Sequence, residues 1–183
     1  QEMERQGIRD EVTMYHTNTY DQAFVAEADP LFEGDLIGAQ FRPFEADSAG
    51  SNLDLYHEWM AETGAEETEL AMVGWINADE AVTGLELAGQ DFSRESVIDA
   101  LNQVTDYTAG GLVPSIDWTR QHSAPTQDDL ATHGPAQDCL AFVKVVDAEF
   151  EVQGDPEAPW HCWPGENRDW SEPEDTNFTA DGN

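Results

Sequence analysis

The chain has 183 residues, a length that fits one ordinary domain able to bury its own apolar core. Its 39 Asp and Glu stand against 7 Lys and Arg, a formal net charge of −32. That balance argues against nucleic acid, because neutralising phosphates needs clustered cations, and against an anionic membrane surface for the same reason. A hydrophobic content of 39%, with six Trp and eight Phe, argues against a wholly disordered chain.

The acidic residues are spread along the chain rather than gathered in one tail, which reads as a solvated acidic surface. Such a surface suits a salty medium, where screening shortens the reach of self-repulsion. A melting temperature that fails to rise with added salt would count against that adaptation. No apolar run approaches the ~18 residues of a membrane span. The first residues, QEMERQGIRD, read as the middle of a helix stopped by a left-handed cap at Gly7, as if the chain were cut from a longer one.

Taken in order, EVTMYHT alternates Val12, Met14 and His16 on one face and predicts a strand. Thr19 or Asp21 can cap the short helix that follows, which carries Phe24 and Val25. GDLIGAQFRPFE predicts a second strand, stopped by Pro43. From Ser51 the period becomes helical through Leu53, Tyr56 and Trp59 or Met60, with Gly64 as the stop. In GWINADEAVTGLELAG, the residues Ala78, Ala81, Val82, Leu85 and Ala88 form one stripe, expected to face the core, with Gly89 just past the helix end. Ser93 is expected to cap a third helix with the stripe Val97, Ile98, Leu101 and Val104.

Beyond these, GGLVPSIDWT predicts an extended crossing segment and HSAPTQDDLATHGPAQ a polar loop. CLAFVKVV and EFEVQG predict a hairpin around Asp147-Ala148, although a two-residue turn there would prefer Asp-Gly. Residues 164–183 read as an acidic flexible tail.

The succession NTYDQAFV, FRPFE, LYHEWM, GWINADEAVTGLELAG, SRESVIDALNQV and TAGGLVPSIDW, closed by a late hairpin, resembles the C-terminal part of type I periplasmic solute-binding proteins. These are receptors of ABC importers and include the Leu/Ile/Val-binding proteins. The resemblance implies an α/β fold, a partial two-lobed three-layer α/β/α sandwich. It assigns 1–44 to the second lobe, 45–110 to the first, and 111–163 to a return into the second with the hairpin. The function it implies is extracytoplasmic binding of a branched-chain amino acid or similar small polar solute, an amino acid or an amide. Ligand would be held by lobe closure and passed to a membrane permease, by a monomer, without cofactor or chemistry. A ligand-sensing ectodomain of a signalling receptor and a secreted non-binding domain are the rival readings.

Open α/β sheets bind ligands at strand exits, which singles out Thr17, Asn18 and Tyr20, although Thr and Asn also serve turns and caps. Trp75 and Asn77 open the quoted helix, where the indole could floor a cleft or pack between helix and sheet, and Trp118 has the same two readings. The acidic partner that a ligand ammonium requires has no obvious candidate in the loop apart from Asp21. Cys139 and Cys162 flank the hairpin and would pair in an exported protein or stand as buried thiols in a cytosolic one, and the export that the resemblance implies favours the disulfide. With His122, His133 and His161 they could in principle build a thiol or metal centre, but HExxH, CxxC and GxSxG are all absent, so no enzyme is expected.

Overall fold

The computed structural model describes residues 2–48, 50–121 and 137–164. Helix α1 (Glu2–Arg5) and a short 3-10 turn (Arg9–Glu11) lead into β1 (Tyr15–His16), α2 (Gln22–Glu27) and β2 (Leu36–Ala39). Three helices follow, α3 (Leu53–Thr63), α4 (Glu69–Ala88) and α5 (Arg94–Leu101), then the single turn α6 (Trp118–Gln121). The chain closes with β3 (Gln137–Val146), β4 (Glu149–Val152) and β5 (Trp160–Pro164). The expected tail, His122 and His133 lie outside the described residues, apart from Pro164.

All five strands form one mixed sheet. β1 and β2 run parallel, and β2 meets β3 antiparallel with Ile37 opposite Val143. The other edge of β3 is shared: β5 covers its first half, Cys139 opposite Cys162, and β4 its second, Val145 opposite Phe150. Alternation along β3 aims Ala141, Val143 and Val145 inward with Ile37 and Ala39 of β2, each at most 3% exposed. The hairpin forms where expected, with Asp147 at φ 51° and Ala148 at φ 64°.

The first strand is shorter than EVTMYHT predicts. The Met14 N–H donates to the Asp35 carboxylate at 3.1 Å instead of to a neighbouring strand, and residues 9–11 coil into the 3-10 turn. Asp35 is 2% exposed, and the same carboxylate also holds Arg9 at 2.8 Å and His16 at 3.0 Å. A buried carboxylate with three donors is the arrangement that makes its desolvation tolerable.

Between sheet and helices the chain makes close crossings. Arg42, 6% exposed, donates to the carbonyls of Asp47 (2.6 Å), Gly111 (3.1 Å) and Glu157 (3.2 Å), tying three distant segments together. Desolvation lowers its pKa and the nearby Asp47 carboxylate opposes that. Gly110 carries φ +65°, and a Cβ there would collide with the Asn52 side-chain amide, so this crossing requires glycine. One core runs from Val25, Ile37 and Val143 through Phe41 and Tyr20 to Leu53, Tyr56, Met72 and Leu112.

The helices start and stop for the expected reasons: Thr68 accepts from the Ala71 N–H, Ser93 from the Ser96 N–H, and Gly64 ends α3 in the left-handed region. The burial of α4 differs from expectation. Its stripe is not core: Val82 is 53% exposed, Leu85 is 41% exposed, and Ala78 and Ala81 are exposed too. α4 instead buries Met72 and Gly84, the latter because Val97 and Leu101 of α5 approach within 2.9 Å of where a Cβ would sit. α5 has no fully buried residue, and Ile98 of its stripe is 44% exposed.

Candidate binding site at the crossing segments

The site grows from the loop after β1. Asp21 is the residue that caps α2, its side chain accepting from the Phe24 N–H at 2.9 Å, and this turn sends Tyr20 inward. The Tyr20 ring, 3% exposed, stacks on Phe150 at 5.1 Å and packs against Phe41 and Phe44. Its hydroxyl accepts the Phe44 N–H at 2.7 Å and donates to Glu45 Oε2 at 2.7 Å. A phenol buried among aromatic rings thereby aims one specific carboxylate.

Glu45 is exposed by area, yet loss of water around its carboxyl is the largest influence on its pKa and raises it. The Tyr20 hydrogen bond and His57 oppose that rise, and the Glu67 carboxylate adds to it. Because the residue keeps solvent contact, screening limits what the shift is worth in stability. Burial, then Glu45, push the Tyr20 phenol well up, so it remains a neutral donor.

The same aromatic packing continues into α3 and the loop before α4. His57 Nδ1 lies 2.8 Å from Glu67 Oε1, and the imidazole stands edge-on to Phe44 and Tyr56. Tyr56 is fully buried, stacks on Phe44 with 6° between the planes, and meets Trp75 edge-on at 5.6 Å. Its hydroxyl has no partner among the described residues, and burial followed by Glu67 pushes its pKa up to about 12. The result is a continuous aromatic wall in which the Tyr20 and Tyr56 rings belong to the core and Phe44 and Trp75 are partly buried against it, with carboxylates at Glu45 and Glu67.

Of the residues singled out from the sequence, Tyr20 and Trp75 come together through Phe44 and Tyr56. Thr17, Asn18 and Asn77 are exposed, the first two at the strand exit and the last on the first half of α4. Trp118 packs against Tyr107, whose hydroxyl shares its one hydrogen between Asp79 Oδ1 at 3.0 Å and the Ile76 carbonyl at 3.1 Å. Sequence reasoning missed Glu45 and Glu67. The signal for Glu45 was its place directly after FRPF, just past Pro43 and beyond the end of β2 at Ala39; the loop carrying Glu67 offered none beyond a run of acids.

Cys139 and Cys162 form a disulfide across β3 and β5, so neither is a free nucleophile. Among the described residues no group of three or more His, Cys, Asp or Glu could hold a metal, and no helix is long and apolar enough to cross a membrane. A separate cavity of about 570 Å³, lined by Arg9, Pro30, Glu33 and Lys144, opens near the beginnings of β1 and β2, at the other end of the sheet.

The family model described as periplasmic binding protein matches residues 1–149. The fold is similar to that of a branched chain amino acid ABC transporter from Thermus thermophilus with bound valine, at 18% identity and TM-score 0.57, covering 84% of this chain and 41% of that one. It is also similar to a leucine binding protein from Thermotoga maritima, at 14% identity and TM-score 0.54, covering 83% of this chain and 40% of that one. No curated protein matches the chain significantly. The chain therefore spans about two-fifths of the length of the solved proteins it resembles.

Proposed function

Because the chain belongs to the periplasmic binding protein family, with an α/β fold of type I, we propose that it binds a small amino-acid-type solute outside the cytoplasm. The solute is a branched-chain amino acid or a similar small polar molecule, and its destination is the membrane permease of an ABC importer. The observation that carries this reading is the Tyr20–Glu45 pair, a carboxylate aimed by a buried phenol at 2.7 Å beside an aromatic wall. An ammonium group entering such a site exchanges water for a fixed negative charge and for ring faces.

The mechanism is binding without bond-making. Residues 1–44 and 111–163 contribute to one lobe and 45–110 to the other, with Arg42 of the former donating to the Asp47 carbonyl of the latter. Solute contacts that bridge both lobes favour a closed arrangement over an open one, and the permease recognises the closed state. Thr17 and Asn18 supply polar contacts from the strand exit, Asn77 from α4, and Trp75 the floor. The valine bound to the Thermus neighbour supports an amino acid as solute class.

Calorimetry on the product of the complete reading frame with leucine, isoleucine, valine, small amides and urea tests the reading. Tight binding of one class, lost on Glu45→Gln, is the expected result. Absence of binding across amino acids and amides would refute it.

A further inference from the structure

We propose that the cavity near the beginnings of β1 and β2 is a second binding site, separate from the aromatic wall, and that it takes a small monocarboxylate with an apolar body, its carboxylate on the Lys144 ammonium. The volume, about 570 Å³, lies in the range of small-molecule pockets. Arg9, Glu33 and Lys144 supply charge to the lining, and Met3, Val12 and Leu31 supply apolar surface. Leu36, the ladder partner of Lys144, begins β2, whereas Tyr20 and Glu45 lie beyond the ends of β1 and β2, so the two sites occupy opposite ends of the sheet.

Lys144 is the group that points to an anion. It is the only lysine of a chain with 39 Asp and Glu, and it lies half-buried on β3, a strand paired on both edges. The ladder sets it directly opposite Glu151 of β4, a register in which opposite charges ordinarily pair. Among the described residues, however, no carboxylate comes within ion-pair distance of its ammonium and no hydrogen bond holds it. The side chain lines the cavity instead. A half-buried ammonium without a protein acceptor has lost part of its water with no replacement, and an anion in the cavity supplies one.

The other charges of the cavity are already matched. The Arg9 guanidinium donates to Asp35 at 2.8 Å and to the carbonyls of Val12 at 3.0 Å and Glu33 at 2.8 Å, and Asp35 is itself 2% exposed, so this cation is fixed and balanced. The Glu33 carboxylate accepts the Asp147 N–H at 3.0 Å, at the hairpin turn. Lys144 is therefore the charge left for a ligand, while Glu33 disfavours a second negative charge on it, as the net charge of −32 does at longer range. One carboxylate fits; a dianion does not. The apolar body follows from the remaining lining. Val12 keeps 38% of its surface exposed, and Met3 and Leu31 are half-buried, so a short alkyl chain laid over them removes apolar surface from water.

The test is calorimetry at pH 7.5 on the product of the complete reading frame, wild type and Lys144→Met, with sodium hexanoate, hexylamine and sodium sulfate as probes, each alone and with saturating L-leucine. The expected result is binding of hexanoate at least tenfold tighter than of hexylamine or sulfate, weakened at least tenfold by Lys144→Met and unchanged by L-leucine. Circular dichroism checks that Lys144→Met keeps the fold, and the comparison of hexanoate with hexylamine, which differ in the charge of the head group, needs no variant. Hexanoate silent on the wild type, hexylamine bound as tightly, or hexanoate bound equally by a folded Lys144→Met would each overturn the inference. Sulfate bound as tightly as hexanoate would overturn the monocarboxylate assignment, and displacement of hexanoate by L-leucine would overturn the separate location. Failure of hexanoate leaves the amino-acid reading standing, because that reading is decided by L-leucine and its relatives at the other end of the sheet.

Discussion

Tyr20→Phe removes one oxygen from the point where the strand-exit loop meets the crossing segment, and its cost follows from the two hydrogen bonds that this oxygen makes. The ring stays, so no cavity opens and stacking on Phe150 at 5.1 Å is kept. What goes is the acceptor of the Phe44 N–H and the donor to Glu45, both at 2.7 Å. Glu45 is exposed and takes up water in exchange, so its share is small; the part-buried Phe44 N–H does not recover its partner as easily. An unmade buried bond costs ~1–3 kcal/mol, which sets an expected loss of about 2 kcal/mol. For a chain of this size that lowers the melting temperature by roughly 4–8 °C. Urea denaturation at constant m measures it, with Tyr15→Phe, a ring 48% exposed, as the control expected within ~0.5 kcal/mol of wild type. Tyr20→Phe indistinguishable from that control would refute the assignment. The same variant has a pH signature. Glu45 titrates above its unfolded value in the native chain, with desolvation raising it and Tyr20 holding it down. Its contribution to stability is thus complete below the unfolded pKa and is lost as pH rises through the folded one. Removing the phenol oxygen moves the Glu45 midpoint further up, and a carboxyl NMR titration that shows no upward move would contradict the geometry.

Ala148→Gly relieves a non-glycine residue at φ 64° in the hairpin turn, and Ala148 contributes only its carbonyl to Gln22, so thermal denaturation should show a gain of about 1 kcal/mol. Arg42→Met leaves three part-buried carbonyls without that donor and should cost about 3 kcal/mol by chemical denaturation, while Arg94→Met on the exposed start of α5 changes little. Reduction of the Cys139–Cys162 bond, which closes a sequence separation of 23, should lower stability by about 3 kcal/mol, read as the melting temperature with and without a dithiol reductant.

Much of the fold is legible in the residues because local chemistry and tertiary structure agree. Asp21, Thr68 and Ser93 cap helices as their side chains allow, Gly64 stops α3, and the 2-residue period of CLAFVKVV becomes β3 with its buried row. The site is less legible. Tyr20 stands at a strand exit and invites notice, but the acid it orients is 25 residues away, and only the fold of FRPFE back over the loop brings Glu45 to it. Glu67 sits in an acidic run that reads as solvated surface, and its pairing with His57 spans ten residues. Both contacts depend on how α3 and the crossing segment pack, which no local pattern encodes.

The helix α4 shows where pattern and burial part. A 3.6-residue period says that one face is apolar; it does not say what covers that face. Here Leu70 is 81% exposed, Val82 53% and Leu87 54%, with Phe92 just beyond at 58%, and α5 adds Ile98 at 44%. Single exposed apolar side chains are ordinary, but several along two consecutive helices make an apolar surface that water does not favour. Among the described residues, α4 is packed where Gly84 admits Val97 and Leu101 and where Trp75 meets Tyr56. The stripe Ala78, Ala81, Val82 and Leu85 turns elsewhere. Periodicity thus located the apolar side of α4 as chemistry, while the buried positions follow the neighbours that are present: the core around Met72 and Tyr56 at its first half, and α5 at Gly84, where the missing Cβ lets Val97 and Leu101 come close enough to exclude water.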